Sequence, residues 1–291
     1  MKVDLILTSD WHLREDTPSC RTDDFEKAQW DKVGQIMKLQ NEYDCPVLHA
    51  GDLFHHWKPS PYLISMAINH LPRVFYTVAG QHDLPQHNLE LFHKCGMNTL
   101  ARANSIHWMA KGNFGQGVGM FAHPGDKLIR YASRHVGVWH HFVWNGKDLP
   151  WPGCDFITAK QVLIDNPDYD LIVTGDYHRP FTYEYKGRLL VNCGCLTRQA
   201  ADYDNHQPRV YLWTAKTNTV EPFFLEYEKG VVSRDHIEVQ AERNKRLDAF
   251  IARISDEWEV GISFEENLKR FFSSNKIRKS VVDLIYKAME L

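Results

Sequence analysis

The stretch "VFYTVAGQHDLP", residues 74–85, begins as a buried strand and ends as a cluster of polar ligands. Val74 to Ala79 is an apolar run of the kind that fills a sheet interior. Gly80 breaks it, and Gln81, His82 and Asp83 follow at once, with Pro85 closing the segment. Two earlier runs have the same character. "VDLILTS" (3–9) leads into Asp10 and His12, and "PVLHAGD" (46–52) stops at Gly51-Asp52. Between them, Phe25, Trp30, Val33, Ile36 and Met37 recur at helical spacing behind Thr22 or Asp23 as N-cap. "YLISMAINHL" (62–71) reads as a second helix, opened by Pro61. Strand, helix, strand, helix, strand is the pattern of parallel βαβ units, so the chain is expected to be α/β.

Further along, "GVGMFAHPG" (117–125) and "HVGVWHHFV" (135–143) are strand candidates, and a helix is expected near 158–165. "YDLIVTGDYH" (169–178) is another buried run ending in Gly-Asp. "FTYEYKGRLLVNCG" (181–194) and "RVYLWTAKTNTVEPFFLEY" (209–227) read as hairpins, turning at Lys186-Gly187 and near Asn218. From residue 234 the texture becomes helical. Leu247, Phe250, Ile251, Ile254 and Trp258 form one stripe, and Val281, Leu284, Ile285, Ala288 and Met289 another. Ser263 and Glu266 suit a capping box. The expected division is a catalytic domain over 1–233 and a helical C-terminal appendage over 234–291.

Composition sets outer limits. The 291 residues suit one large domain with an appendage. Lys+Arg 34 against Asp+Glu 37 gives a net charge of −3, so nucleic-acid binding would need a local patch. The six cysteines form no Cys-x-x-Cys pair, which fits reduced thiols in a cytoplasmic protein. The apolar run at the N-terminus is too short for a signal peptide or a membrane span, so no membrane association is expected.

The chemistry gathers at strand ends. Asp10 and His12, then Asp52, then Gln81, His82 and Asp83, then His140 and His141, then Asp176 and His178 each follow an apolar run. In open α/β sheets ligands bind outside the carboxyl ends of strands, so these groups are expected to converge. Carboxylate, imidazole and amide oxygen without thiolate suit Mn²⁺, Fe²⁺, Zn²⁺ or Mg²⁺.

In this order, the motifs resemble the calcineurin-like metallophosphoesterase superfamily: Asp-x-His, Gly-Asp, Gly-Asn-His-Asp, a His after a strand, and Gly-His-x-His. The resemblance covers about residues 3–230. It implies two packed mixed β-sheets flanked by helices, and a phosphodiester hydrolase. "GQHDLPQHN" and "LVNCGCLTRQ" are most similar to the SbcD-like nucleases of bacterial and phage double-strand-break repair. That implies a DNA exo- or endonuclease of recombination or repair, with DNA as substrate. Its expected partners are an SMC-like ATPase subunit, docked on the helical tail, or a second copy in a homodimer.

The resemblance also assigns roles. Asp10, His12 and His178 would hold one divalent ion, and Gln81, His140 and Asp176 a second, with Asp52 bridging. His82 would protonate the leaving oxygen, with Asp83 orienting its ring. His140 is taken over His141 as ligand, with His123 a weaker rival. His55 and His56 could meet substrate but read first as solvated loop residues, and Arg179 as a phosphate contact or a surface arginine. Gln81 stands where the family has Asn, and Asp176 where it has His. Both changes fall on the second ion and harden its site, so Mn²⁺ is the expected metal, with Mg²⁺ or Fe²⁺ as alternatives. The competing expectations are a small-molecule phosphodiesterase or phosphatase, and a binding scaffold that has lost its metals.

Overall fold

The computed structural model describes residues 2–109, 112–113, 118–119, 130–131, 134–146, 156–256 and 263–289. The chain divides into two compact units, Met1–Ser233 and Arg234–Leu291. His123, most of the 117–125 strand candidate, and Trp258 lie outside the described residues.

In the first unit, β1 (Leu5–Thr8), β2 (Val47–His49), β3 (Phe75–Thr77) and β4 (His107–Trp108) lie side by side and parallel. The hairpin of Arg209–Thr214 and Thr219–Phe224 adds antiparallel to β1, making a six-stranded mixed sheet among the described residues. A five-stranded sheet has Leu171–Gly175 at its centre, parallel to Arg134–His140 and to Arg188–Asn192. Its outer strands, Phe181–Tyr185 and Arg130–Tyr131, run antiparallel.

Alternation along the strands explains the layers. Leu5 and Leu7 of β1 belong to a buried cluster with Val136, Val138, Leu171, Val173, Val191 and Trp213, so their faces meet between the two sheets. Ile6 points the other way, to a cluster with Trp30, Val33 and Ile36 of α1 (Phe25–Tyr43), Leu63 and Ala67 of α2 (Pro61–His70) and Leu100 of α3 (Gly96–Arg102). On the far face of the second sheet, Ile172 and Leu190 pack with Val162 and Leu163 of α4 (Ala159–Asp165). The result is a helix–sheet–sheet–helix sandwich with three buried layers, in which each fully buried aliphatic side chain contributes about 1.5–3 kcal/mol.

The helices begin where local chemistry allows. The N-cap of α1 is Asp24, whose side chain accepts from the Lys27 N–H. Thr22 and Asp23 are therefore not the cap, and Asp23 is instead bound to the Arg21 guanidinium. Pro61 sits in the first turn of α2 behind Ser60, which caps the Leu63 N–H. The Lys186-Gly187 turn is left-handed at both residues, as a two-residue hairpin requires.

The second unit contains α5 (Asp235–Asp256), α6 (Phe264–Ser274) and α7 (Lys279–Met289). The Ser263–Glu266 capping box is formed in both directions. Leu268 and Phe271 are buried, whereas Leu247, Ile251, Val281, Leu284 and Met289 are exposed. Among the described residues, no helix is long and apolar enough to cross a membrane.

Candidate metal centre

The carboxyl ends of β1, β2, β3, Arg134–His140 and Leu171–Gly175 deliver their polar residues to one place. Among the described residues three clusters form, Asp10–His12–His178, Asp10–Asp52–His140 and His12–His55–His82, with ligand atoms within 4.8 Å of one another in each. The backbone is contorted to achieve this. Asp10, His12, Asp52 and Asp176 have φ of 51°, 46°, 56° and 76°, a left-handed region unusual outside glycine. Such conformations cost about 1–3 kcal/mol each and collect at functional sites. Glycine is required next to them. A Cβ on Gly80 would lie 2.1 Å from Asp52 Oδ1, and one on Gly51 would lie 2.5 Å from His140 Nδ1. The glycines thus make room for ligand side chains of neighbouring strands.

The distances suit cations. His12 Nε2 and His178 Nε2 are 3.0 Å apart. Asp10 Oδ1 is 4.0 Å from the first and 3.7 Å from the second. Asp52 Oδ2 lies 3.6 Å from His12 Nε2 and 3.3 Å from His140 Nε2. Ligands of one ion at about 2.1 Å stand about 3–4 Å from one another. Asp10 Oδ2, Asp52 Oδ2 and His140 Nε2 are buried without a hydrogen-bond partner, a costly arrangement unless a cation completes them. His140 Nδ1 lies 2.7 Å from the Ala50 carbonyl, so it carries a proton and Nε2, facing Asp52, is the atom that a cation would take.

The electrostatics follow from burial and crowding. Burial raises the Asp10 carboxyl, only partly offset by His178 and His140. Burial also opposes charge on Asp52, but His140, His12 and His82 outweigh it and hold its pKa well below the usual range. His140 is driven well upward despite burial by Asp52, Asp10 and Asp176. Burial drives His12 well downward, against the attraction of Asp52. Two carboxylates and three imidazoles are packed closely enough that a bound cation would alter the charge of each.

Gln81 and Asp176 are bonded to each other. Gln81 Nε2 donates to Asp176 Oδ1 at 2.6 Å, and the Asp176 N–H donates to Asp10 Oδ1 at 3.0 Å. The Asp176 carboxylate lies outside all three clusters. His141 is exposed.

His82 borders a cavity of about 180 Å³, shared with His12, His55, His178, Gln199 and Tyr203. Its backbone N–H donates to Asp52 Oδ1 at 2.9 Å. Its Nδ1 is 3.0 Å from the His55 carbonyl, which can only accept, so Nδ1 bears the proton and the ring is fixed by His55. This corrects the expectation for Asp83. The Asp83 carboxylate is buried and accepts three backbone N–H groups, from Gly80, Leu53 and Phe54. It fastens the loop after β2 to the loop after β3 and does not touch the His82 ring. Burial and the Asp52 charge push its carboxyl up to about 7, against the pull of those N–H groups.

His55 is likewise not a solvated loop residue. Its ring stacks on His82 at 5.6 Å, and burial with Arg14 and His82 nearby depresses its pKa to about 4. The adjacent pair His55-His56 after "GDLF" carried that signal only weakly. Gln199 ends the "LVNCGCLTRQ" stretch, which gives it no role: its Nε2 donates to the His12 carbonyl at 3.2 Å across 187 residues of sequence. Arg179 is exposed and lies 3.8 Å from Asp202, a surface ion pair.

Comparison with known proteins agrees with this picture. Residues 4–180 match the family model described as "Calcineurin-like phosphoesterase". The DNA double-strand break repair protein Mre11 of Haloferax volcanii is 28% identical over 187 residues, 60% of this chain. The match spans 40% of that relative's length. Among solved structures, a novel archaeal phosphodiesterase aligns over 76% of this chain and 99% of its own, with 13% identity and a TM-score of 0.44. Vps29 of Entamoeba histolytica, complexed with zinc, aligns over 77% of this chain and 99% of its own, with 14% identity and a TM-score of 0.38. The chain belongs to the calcineurin-like phosphoesterase family.

Proposed function

We propose that this protein is a nuclease, a divalent-metal-dependent hydrolase of DNA phosphodiester bonds that acts in recombination or repair. The observation that carries the hydrolase is the meeting of Asp10, His12, Asp52, His140 and His178, with buried ligand atoms left unpaired. Asp10, His12 and His178 would hold one ion, His140, Gln81 and Asp176 a second, and Asp52 both. The extra carboxylate favours Mn²⁺, with Mg²⁺ or Fe²⁺ as alternatives. When bound, such ions supply Lewis acidity at the phosphate and lower the pKa of water.

The chain's own residues supply the rest. His82 keeps Nδ1–H on the His55 carbonyl, which leaves Nε2 to hold or pass a proton at the leaving oxygen. Its backbone bond to Asp52 fixes the ring beside the metal ligands. DNA as substrate is supported by the similarity to Mre11 and by the "GQHDLP" and "LVNCGCLTRQ" stretches. The exposed stripes of α5 and α7 suit docking of a partner such as an SMC-like ATPase.

A second reading, a phosphodiesterase or phosphatase for small esters, is favoured by the small cavity and the absence of net positive charge. The test is turnover with Mn²⁺ of linear and single-stranded DNA beside p-nitrophenyl phosphate and cyclic nucleotides. Metal-dependent DNA cleavage is expected. A chain that turns over only the small esters refutes the nuclease.

A further inference from the structure

A second cavity, of about 480 Å³, opens between the N-terminal half of α1, the segment at Arg198 and the segment at Tyr227. It has the size of a small-molecule site. Its interior is cationic. Arg21, Lys32 and Arg198 are only 8%, 5% and 3% exposed, and buried cations are rare unless paired. Both guanidiniums are engaged. Arg21 donates to the Asp23 carboxylate and to the Arg198 carbonyl. Arg198 donates to the carbonyls of Asp204 and Glu228 and lies over the Tyr227 ring at 4.7 Å.

Lys32 differs. Its Nζ donates to the Ala28 carbonyl of its own helix at 3.3 Å, and among the described residues it forms no ion pair. An ammonium has three N–H groups, so the single bond leaves two to be met from the cavity. Burial and the two guanidiniums depress its pKa to about 8, an unfavourable state that a neighbouring anion would relieve. Three cations set against the Asp23 carboxylate and the Asp204 carboxylate, 3.9 Å from Arg198, leave the interior with about one positive charge, which suits an anion. The mouth carries more acidic than basic groups: Asp24, Asp31, Glu226 and Glu228 are exposed around it, with Lys27 and Lys38 among them. That rim repels a polyanionic strand more strongly than one compact anion.

We propose that this cavity is a binding site for a compact phosphate-bearing anion, received by Lys32 between Arg21 and Arg198, with Tyr227 beside it. The site is separate from the metal ligands and does not depend on the nuclease reading. Charge-assisted bonds of an ammonium to phosphate are among the stronger ones, so losing Lys32 should weaken binding about tenfold or more.

The test is calorimetric titration of the full chain, with chelator present, using inorganic phosphate in one arm and thymidine 5′-monophosphate in the other. Wild type, Lys32→Met and His178→Ala are compared. Saturable binding that falls at least tenfold in Lys32→Met and persists in His178→Ala is expected. Equal affinity for both probes assigns the site to the bare phosphate group. Tighter binding of the mononucleotide assigns it to a nucleotide whose organic part reaches Tyr227. No saturable binding by wild type, unchanged binding in Lys32→Met, or loss in His178→Ala overturns the proposal. Should Lys32→Met fail to fold, tungstate soaked into wild-type crystals replaces it. An anomalous peak beside Lys32 Nζ is expected, and peaks confined to the His12–His178 cluster overturn the site.

Discussion

The strained backbone at Asp10 carries two opposing demands. Its carboxyl is wholly buried, next to Asp52, and one oxygen lacks a partner. Asp10→Asn keeps a residue that tolerates the left-handed region while removing the buried charge. Melts in chelator should therefore show the variant more stable by about 1 kcal/mol, a rise of roughly 2–4 °C for a domain this size. The same variant should lose the Mn²⁺-dependent rise in Tm. His82→Ala should lower turnover about 10²–10⁴-fold with most of the metal affinity retained, because His82 groups with His12 and His55 but with neither of the carboxylates that would anchor an ion. Gln81 and Asp176 act as a unit through their 2.6 Å bond. A double-mutant cycle of Gln81→Asn and Asp176→Asn on Mn²⁺ affinity should show coupling of about 0.5–3 kcal/mol, and additive effects would separate them.

Elements reach the site through ties that sequence pattern does not reveal. Asp83 joins the ends of β2 and β3 by three backbone bonds, so Asp83→Ala should destabilise by about 3 kcal/mol or more, read by urea unfolding. A purely catalytic Asp83 would leave stability unchanged. In the middle of the sheet, His49 is buried on β2, bonded to Thr77 Oγ1 at 2.8 Å, and burial depresses its pKa to about 3. Its folded pKa lies below the ordinary value of about 6.5, so the unfolded chain binds the extra proton. The stability it contributes is present above pH 6.5 and lost as pH falls toward 3, by up to about 1.4 kcal/mol per pH unit. Unfolding midpoints at pH 7 and pH 5 should differ less in His49→Gln than in wild type. Strands and helices were legible because their apolar periods are strong: Ile6 against Leu5 and Leu7 already announces two buried faces. The ring support of His82 was not. A carbonyl at His55 leaves no mark in side-chain identity, whereas an adjacent Asp invites the wrong pairing.

At the scale of the molecule, the three buried clusters lie wholly within Met1–Ser233. A truncation to residues 1–233 should thus unfold cooperatively and bind Mn²⁺ like the full chain, and a molten or metal-blind fragment would show that the helices are part of the fold. Long-range convergence was legible as an expectation, since parallel strands place their carboxyl ends together. Which atoms would meet was not, because it depends on left-handed turns at Asp10, His12, Asp52 and Asp176. The roles of Gln199 and Arg198 were not legible for a related reason: their partners lie more than 100 residues away or on backbone carbonyls. A two-ion centre on these strand ends is tested most directly by anomalous scattering from crystals grown with Mn²⁺. Two peaks are predicted, one among Asp10, His12 and His178 and one among His140, Gln81 and Asp176, with Asp52 between. A single peak beside Asp10, or none among these residues, would contradict it.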